Sequence, residues 1–222
     1  MENPNVFIFN YPLIDHKLSI LRDKNTKPEL FRKLVKEITT IMGCEVLKDL
    51  SLEEVEIETP IKKTKVRSIP SMGIPSVTAI WRAGLGMLDP ILDLLPTAKV
   101  GFIGLYREEN TKKIKKGKRE KVVIKQYYSK LPVDIDKRDA ILLDPMLASG
   151  KSASRAITLL KKAGVKNIKF VCIVSCKEGI KKVTTNHPDV KIFCASLDEE
   201  LLSNNYISPG LGDAGDRLYG TK

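Results

Sequence analysis

Histidine is nearly missing from these 222 residues, with His16 and His187 the only two. A zinc centre built from clustered Cys and His at ligand spacing has no candidates among them. A Ser-His-Asp triad would have to rest on one of two imidazoles flanked by polar, turn-like sequence, and none is expected. Cysteine is sparse too, at Cys44, Cys172, Cys176 and Cys194, with no C-x-x-C pair. Three of the four lie inside apolar stretches, where a thiol serves as a small core residue. That usage excludes a disulfide scaffold and points to a reducing, cytoplasmic setting. No apolar run approaches the roughly 18 residues that a spanning helix needs. Met1 to Tyr11 (MENPNVFIFNY) lacks the basic start and apolar middle of a signal peptide. Neither secretion nor a membrane is expected.

Acidic residues are outnumbered as well. Against 38 Lys and Arg stand 27 Asp and Glu, a formal net charge of +11. Such an excess raises nucleic acid, membrane surfaces and anionic small molecules as partners. Its location narrows the choice. Residues 111–130 (TKKIKKGKREKVVIKQYYSK) hold nine Lys or Arg against one Glu, a local +8 that leaves about +3 for the rest of the chain. The remainder is mildly basic, and with 42% hydrophobic and 29% charged residues overall the composition is that of a folded globule. Its length suits one domain spanning residues 1–222.

What is present is a rhythm of short apolar runs and helical stretches. Thr26-Lys27-Pro28-Glu29 reads as a helix start, with Thr26 as N-cap and Glu29 as its capping-box partner. Leu30, Phe31, Leu34, Val35, Ile38, Ile41 and Met42 then recur at helical spacing, which predicts an amphipathic helix to about residue 48. A short strand is expected at 55–58. Further strands are expected at 77–81, 100–106, 140–143, 168–175 and 190–195, and helices at 85–94, 152–162 and 178–184. Apolar strands alternating with helices imply βαβ units, hence an α/β fold with a mostly parallel central sheet flanked by helices. Ahead of it lies an N-terminal helical segment, and residues 107–131 form a basic β-arm. The Gly-rich tail, 206–217, reads as a folded loop.

In such sheets ligands bind beyond the carboxyl ends of the strands, so the strand-to-helix turns carry the functional signal. The most informative is Leu143-Asp144-Pro145-Met146-Leu147-Ala148-Ser149-Gly150-Lys151-Ser152. A buried strand ends in a carboxylate, and a loop of small residues opens a helix. Hydroxyls, backbone amides and the positive end of a helix dipole suit a phosphate monoester. The carboxylate ahead of the loop can hold ribose hydroxyls. A Walker A loop is excluded, because its first glycine would fall on Pro145, which has no N–H. A second turn, Trp81-Arg82-Ala83-Gly84-Leu85-Gly86, sets an arginine among small residues, as a diphosphate site requires. Arg107 is expected at the end of the next strand. The tail, Tyr206 to Arg217, can present backbone edges to a planar base.

Together with Asp15-His16-Lys17-Leu18 and Leu21-Arg22-Asp23-Lys24-Asn25-Thr26, the strings Arg82-Ala83-Gly84-Leu85-Gly86, Asp144-Pro145-Met146-Leu147-Ala148 and Pro209-Gly210-Leu211-Gly212-Asp213-Ala214-Gly215-Asp216-Arg217 resemble the uracil phosphoribosyltransferases, of the type I phosphoribosyltransferase fold. The resemblance covers most of the chain. It implies transfer of a phosphoribosyl group from 5-phospho-α-D-ribose 1-diphosphate to uracil, giving UMP and diphosphate, with Mg2+ bound largely through the diphosphate and not by a protein metal site. It further implies that Arg82 and Arg107 bind the diphosphate and Asp144 the ribose hydroxyls. The loop of Asp144, Pro145, Met146, Leu147, Ala148, Ser149, Gly150, Lys151 and Ser152 would then wrap the 5′-phosphate. Ile207, Gly212 and Ala214 would read uracil through main-chain groups. Asp213 would contact the donor beside the base, and with Arg107 it is the residue the resemblance makes catalytic.

Two features depart from the family pattern. The loop reads Ala148-Ser149-Gly150-Lys151-Ser152 where Ala-Thr-Gly-Gly-Ser is usual, so a hydroxyl is kept and a cation added. The stretch after Arg107 is longer than is common there and carries most of the lysines. An RNA-binding regulator on the same fold would use that segment as its contact surface; a solvated hairpin or an active-site flap is the plainer reading, and nucleic acid is not expected as a partner. The resemblance also brings a homodimer or larger assembly, and GTP as an effector in some relatives.

Overall fold

The computed structural model describes residues 4–109 and 122–221. Their centre is an eight-stranded sheet built from β1 (Val6–Ile8), β4 (Ser76–Trp81), β5 (Val100–Glu109), β6 (Val122–Lys130), β7 (Ala140–Leu143), β8 (Met146–Leu147), β9 (Ile168–Cys176) and β10 (Lys191–Asp198). The order is β1-β10-β9-β7-β4-β5-β6, with β8 also paired to β9. Every pairing is parallel except β5 with β6, which form an antiparallel hairpin.

Strand alternation divides the apolar residues between two cores. Ile141, Leu143, Val171 and Ile173 point to one face, where they meet α1 (Pro12–Arg22) and α2 (Pro28–Val46). Ala140, Leu142, Phe170 and Cys172 point to the other, against α4 (Lys151–Lys162) and Val183 of α5 (Lys177–Asn186). A period of two with both faces apolar is what a covered parallel sheet demands, and it explains why these strands read as continuous apolar runs. The shorter α3 (Leu88–Leu94) follows a 3-10 turn at Ala83–Met87, so the helix expected over 85–94 begins as a tighter coil.

On α2, Phe31, Leu34, Val35, Ile38 and Met42 are buried as their spacing predicts, while Leu30 is exposed. Its start differs from expectation. Lys27 is the N-cap, Pro28 occupies the first turn, and no side chain caps the helix. Thr26 lies one residue too early, and its hydroxyl donates to the carbonyl of Ile20, closing the α1–α2 turn. The strand expected at 55–58 is the end of β2 (Glu53–Glu58), whose partner β3 (Lys63–Ser68) has no apolar alternation to announce it. Opposite charges face each other across this pair instead, Glu54 opposite Arg67 and Glu56 opposite Lys65.

The tail is more ordered than a loop. β11 (Glu200–Leu201) and β12 (Ile207–Ser208) pair, and α6 (Ala214–Tyr219) follows. The strand character expected of the basic arm holds for β6, while 110–121, with most of the lysines, lie outside the described residues.

Candidate active site

The carboxyl ends of β4 and β7 and the segment around β12 converge on a cavity of about 400 Å3. Each wall has a local cause. At the end of β7, the amide of Asp144 donates to Val171, and the carbonyl of Pro145 accepts from Ile173 and Val174. The chain is thereby drawn back onto β9 as β8 before it turns outward at Ala148. Gly150 takes a left-handed φ of 72°, and α4 starts at Lys151. The first turn of a helix leaves its amides without intrahelical acceptors at the positive pole, so an anion is favoured there. Asp144 and residues 146–152 line the cavity. Pro145 does not; its carbonyl ties the loop to the sheet.

Behind this loop stand two residues that the sequence did not mark as functional. Burial pushes the Cys176 thiol up, so it stays protonated, and it donates to the carbonyl of Ala148 at 3.1 Å. Gly179, in the first turn of α5, packs directly beneath the carbonyls of Leu147 and Ala148, leaving no room for a Cβ. A glycine near a helix start gives no sign of that approach until α5 is placed against the loop.

The second wall is the turn after β4, where the Trp81–Arg82 peptide is cis. Arg82 lines the cavity. Its Nη2 lies 3.0 Å from Asp216 Oδ1 and its Nη1 3.3 Å from Thr221 Oγ1, which joins this turn to α6. Gly84, read as room for a diphosphate, instead lies against the carbonyl of Leu143, where a Cβ would collide. Trp81 stacks on Tyr128 of the hairpin, with ring centres 5.0 Å apart and planes 6° from parallel. Trp81, Tyr106 and Tyr127 line the cavity, so each strand of the hairpin contributes one aromatic to its wall. Arg107 does not end its strand: β5 runs on to Glu109, and Arg107 pairs with Ile124 within the hairpin.

The third wall comes from the tail, where Ile207, Gly212, Asp213 and Ala214 line the cavity. Asp213 has a further structural duty: it is the N-cap of α6, and its Oδ1 accepts from the amide of Asp216 at 2.9 Å. Tyr206, the first residue of the expected loop, also lines the cavity, as does Asn205, which was not anticipated. Asn205 holds a φ of 63°, in the turn between β11 and β12. Asn tolerates that conformation, and this was the available sign.

The family model for uracil phosphoribosyltransferase matches residues 8–221. The chain belongs to the uracil phosphoribosyltransferase family. A uracil phosphoribosyltransferase from Geobacillus kaustophilus is 53% identical over 98% of this chain and 99% of its own length. One from Alkaliphilus metalliredigens is 54% identical with the same coverage. Among solved structures, AQ2163 from Aquifex aeolicus is 35% identical, with a TM-score of 0.88 over 98% of this chain and 99% of that one. The adenine phosphoribosyltransferase of Trypanosoma brucei, at 13% identity and a TM-score of 0.54 over 88% of this chain and 84% of its own, shares the fold. The sheet and its covering helices are thus those of the type I phosphoribosyltransferases, in agreement with the strand-helix rhythm of the sequence.

No helix among the described residues is long and apolar enough to cross a membrane. None of their His, Cys, Asp and Glu form a group of three or more placed to hold a metal.

Proposed function

We propose that this chain transfers the phosphoribosyl group of 5-phospho-α-D-ribose 1-diphosphate to uracil, giving UMP and diphosphate. The observation that carries the proposal is the convergence of three sequence-distant segments on one cavity: the Arg82 turn, the Asp144–Ser152 loop and the Ile207–Ala214 segment. Each suits one part of the substrates. The start of α4 and the hydroxyls of Ser149 and Ser152 receive the 5′-phosphate, and Lys151 adds a cation beside it. Asp144 takes the ribose hydroxyls. Arg82, with Arg107 from β5, meets the diphosphate. Main-chain groups of Ile207, Gly212 and Ala214 read the edge of uracil.

Departure of diphosphate leaves positive character on the ribose C1. Arginines fixed where the leaving charge develops lower the barrier electrostatically, and holding donor and base in line supplies much of the remainder. Asp213, at the mouth of α6, places a carboxylate where that cationic character arises. Mg2+ fits this donor set: it binds through one or two carboxylates plus substrate phosphates and water, without an all-protein cage. Asp144 and Asp213 are carboxylates on the cavity wall, and Mg2+ there would neutralise diphosphate charge. Neither histidine lines the cavity, so the N1 proton of uracil is not assigned to an imidazole.

Incubating the purified chain with uracil, the donor and Mg2+ tests the proposal, with UMP and diphosphate as expected products. Binding of the donor without formation of UMP would overturn it. The resemblance further supports a homodimer or larger assembly and GTP as an effector, which sedimentation and a GTP titration of the rate would test. The free state of all four cysteines supports a cytoplasmic location.

A further inference from the structure

One charged network lies outside the cavity wall. Asp198, at the end of β10, is buried, its side chain only 2% exposed. Its Oδ1 accepts from Arg22 Nη2 at 2.6 Å and Ser196 Oγ at 2.9 Å. Its Oδ2 accepts from Arg22 Nη1 and from the amide of Gly210, both at 2.8 Å. Arg22 Nη1 also donates to the carbonyl of Gly210 at 2.9 Å. Both polar groups of a single peptide residue, Gly210, are therefore held by one ion pair.

A second arginine completes the grip. Arg217 of α6 donates from Nη1 to the carbonyl of Leu211 at 3.0 Å and from Nη2 to the carbonyl of Asp23 at 2.6 Å. Its guanidinium lies 4.3 Å from the centre of the Phe31 ring. Consecutive carbonyls, at 210 and 211, are thus pinned by arginines from two different helices, and the next residue, Gly212, faces the cavity. The Leu21-Arg22-Asp23 string, to which no role at the cavity falls, supplies half of this anchor.

Energetics favour a geometric role. Taking a carboxylate and a guanidinium out of water costs about what their attraction returns, so such a pair is weak grounds for stability. Charge-assisted hydrogen bonds are short and directional, and a planar fork fixes orientation as well as distance. What four donors on Asp198 secure is the place of Gly210, and through it the segment from Ile207 to Ala214.

We propose that Arg22, Asp198 and Arg217 are positioning residues that set the register of the base-reading segment, and so govern affinity for uracil without touching it. This rests on the reading that Ile207, Gly212 and Ala214 receive the base. The donor is held by other elements, the β7–α4 loop and the β4 turn, so the two substrates should respond differently. In Asp198→Asn the KM for uracil is expected to rise about tenfold or more, the scale on which lost preorganisation weakens binding. The dissociation constant of the phosphoribosyl donor should stay within about twofold. Hydrogen exchange at 207–214 should quicken while that at 146–152 holds. An unchanged KM for uracil in the folded variant, or a parallel loss of donor affinity, would overturn the proposal. Should Asp198→Asn fail to fold, Arg22→Lys keeps the charge but not the fork, and must show the same split. If the wild-type chain makes no UMP, the proposed activity fails separately, and exchange at 207–214 still decides the anchor: equal protection in variant and wild type refutes it.

Discussion

Substituting Gly179 by alanine would test the proposed phosphate loop from behind, without replacing any residue that lines the cavity. An added Cβ falls inside 3.0 Å of the carbonyl oxygens of both Leu147 and Ala148. Both are backbone atoms, so no flexible side chain can swing away. Restoring an ordinary contact at 3.4 Å requires a retreat of about 1 Å, a displacement that costs enzymes on the order of 10²-fold when reacting groups are misplaced. That factor corresponds to about 2.7 kcal/mol of transition-state stabilisation. Stability should move much less. Overpacking costs roughly 1–3 kcal/mol, but replacing a helical glycine by alanine returns up to about 1 kcal/mol. The rest is affordable for a domain with the usual ~5–15 kcal/mol. The expected result is a folded protein whose kcat/KM for the donor falls about 10²-fold. Gly164→Ala is the control: Gly164 has a φ of 95°, and a Cβ there meets Asp136, away from the cavity. It should lower the melting temperature and leave kcat/KM alone. A Gly179→Ala enzyme with kcat/KM within about threefold of wild type would show that the loop yields freely, and that its packing on α5 does not set the site.

Asp213 separates its two duties by chemistry. Asn is as good an N-cap as Asp, so Asp213→Asn should hardly change the melting temperature while turnover collapses, whereas Asp213→Ala should also lose about 1 kcal/mol of stability. Equal losses of turnover and stability in the Asn variant would make the residue merely a cap. His187 ties α5 to α4 through Ser154 Oγ at 3.0 Å, and burial, with Lys161 and Lys182 nearby, holds its pKa below the usual 6.5 against the opposing pull of Asp189 and the Ser154 backbone. The unfolded chain therefore takes up that proton first as pH falls. This part of the stability is complete above about 6.5 and is lost as the medium is acidified below it. Urea midpoints across that range should show the decline, and His187→Gln should flatten it; a wild-type midpoint indifferent to pH there would refute the assignment. Arg82→Ala should weaken the donor and also loosen α6, since Arg82 bonds Asp216 and Thr221. Donor affinity that survives the change would remove Arg82 from the diphosphate site.

The parallel strands were legible because burial on both faces writes itself as unbroken apolar runs, as in Ala140–Leu143 and the stretch 170–174 of β9. The β7–α4 loop was legible as a part of the cavity wall because a carboxylate, small residues and a helix start adjoin in sequence. What stayed hidden depends on contacts between distant segments. β3 carries alternating charge where apolar residues would have marked it, and its pairing becomes plain only opposite the glutamates of β2. Pro145 sits among residues that line the cavity yet faces the sheet, because β9 offers it two amides. Cys176 and Gly179 look like ordinary core and helix residues until α5 is laid against Leu147 and Ala148. α6 follows so soon after Pro-Gly and Gly-Asp pairs that turn chemistry masks a six-residue helix.

The chain contains a single tryptophan, and it is Trp81, which forms part of the cavity wall and lies flat against Tyr128 of the hairpin. An indole so placed makes the protein its own optical gauge. All of its tryptophan emission originates where the Arg82 turn meets the hairpin, so a shift of either strand against the other changes the colour or brightness of the whole signal. Movements at the rim of the site can therefore be timed in the unlabelled protein, with no background from a second indole to subtract.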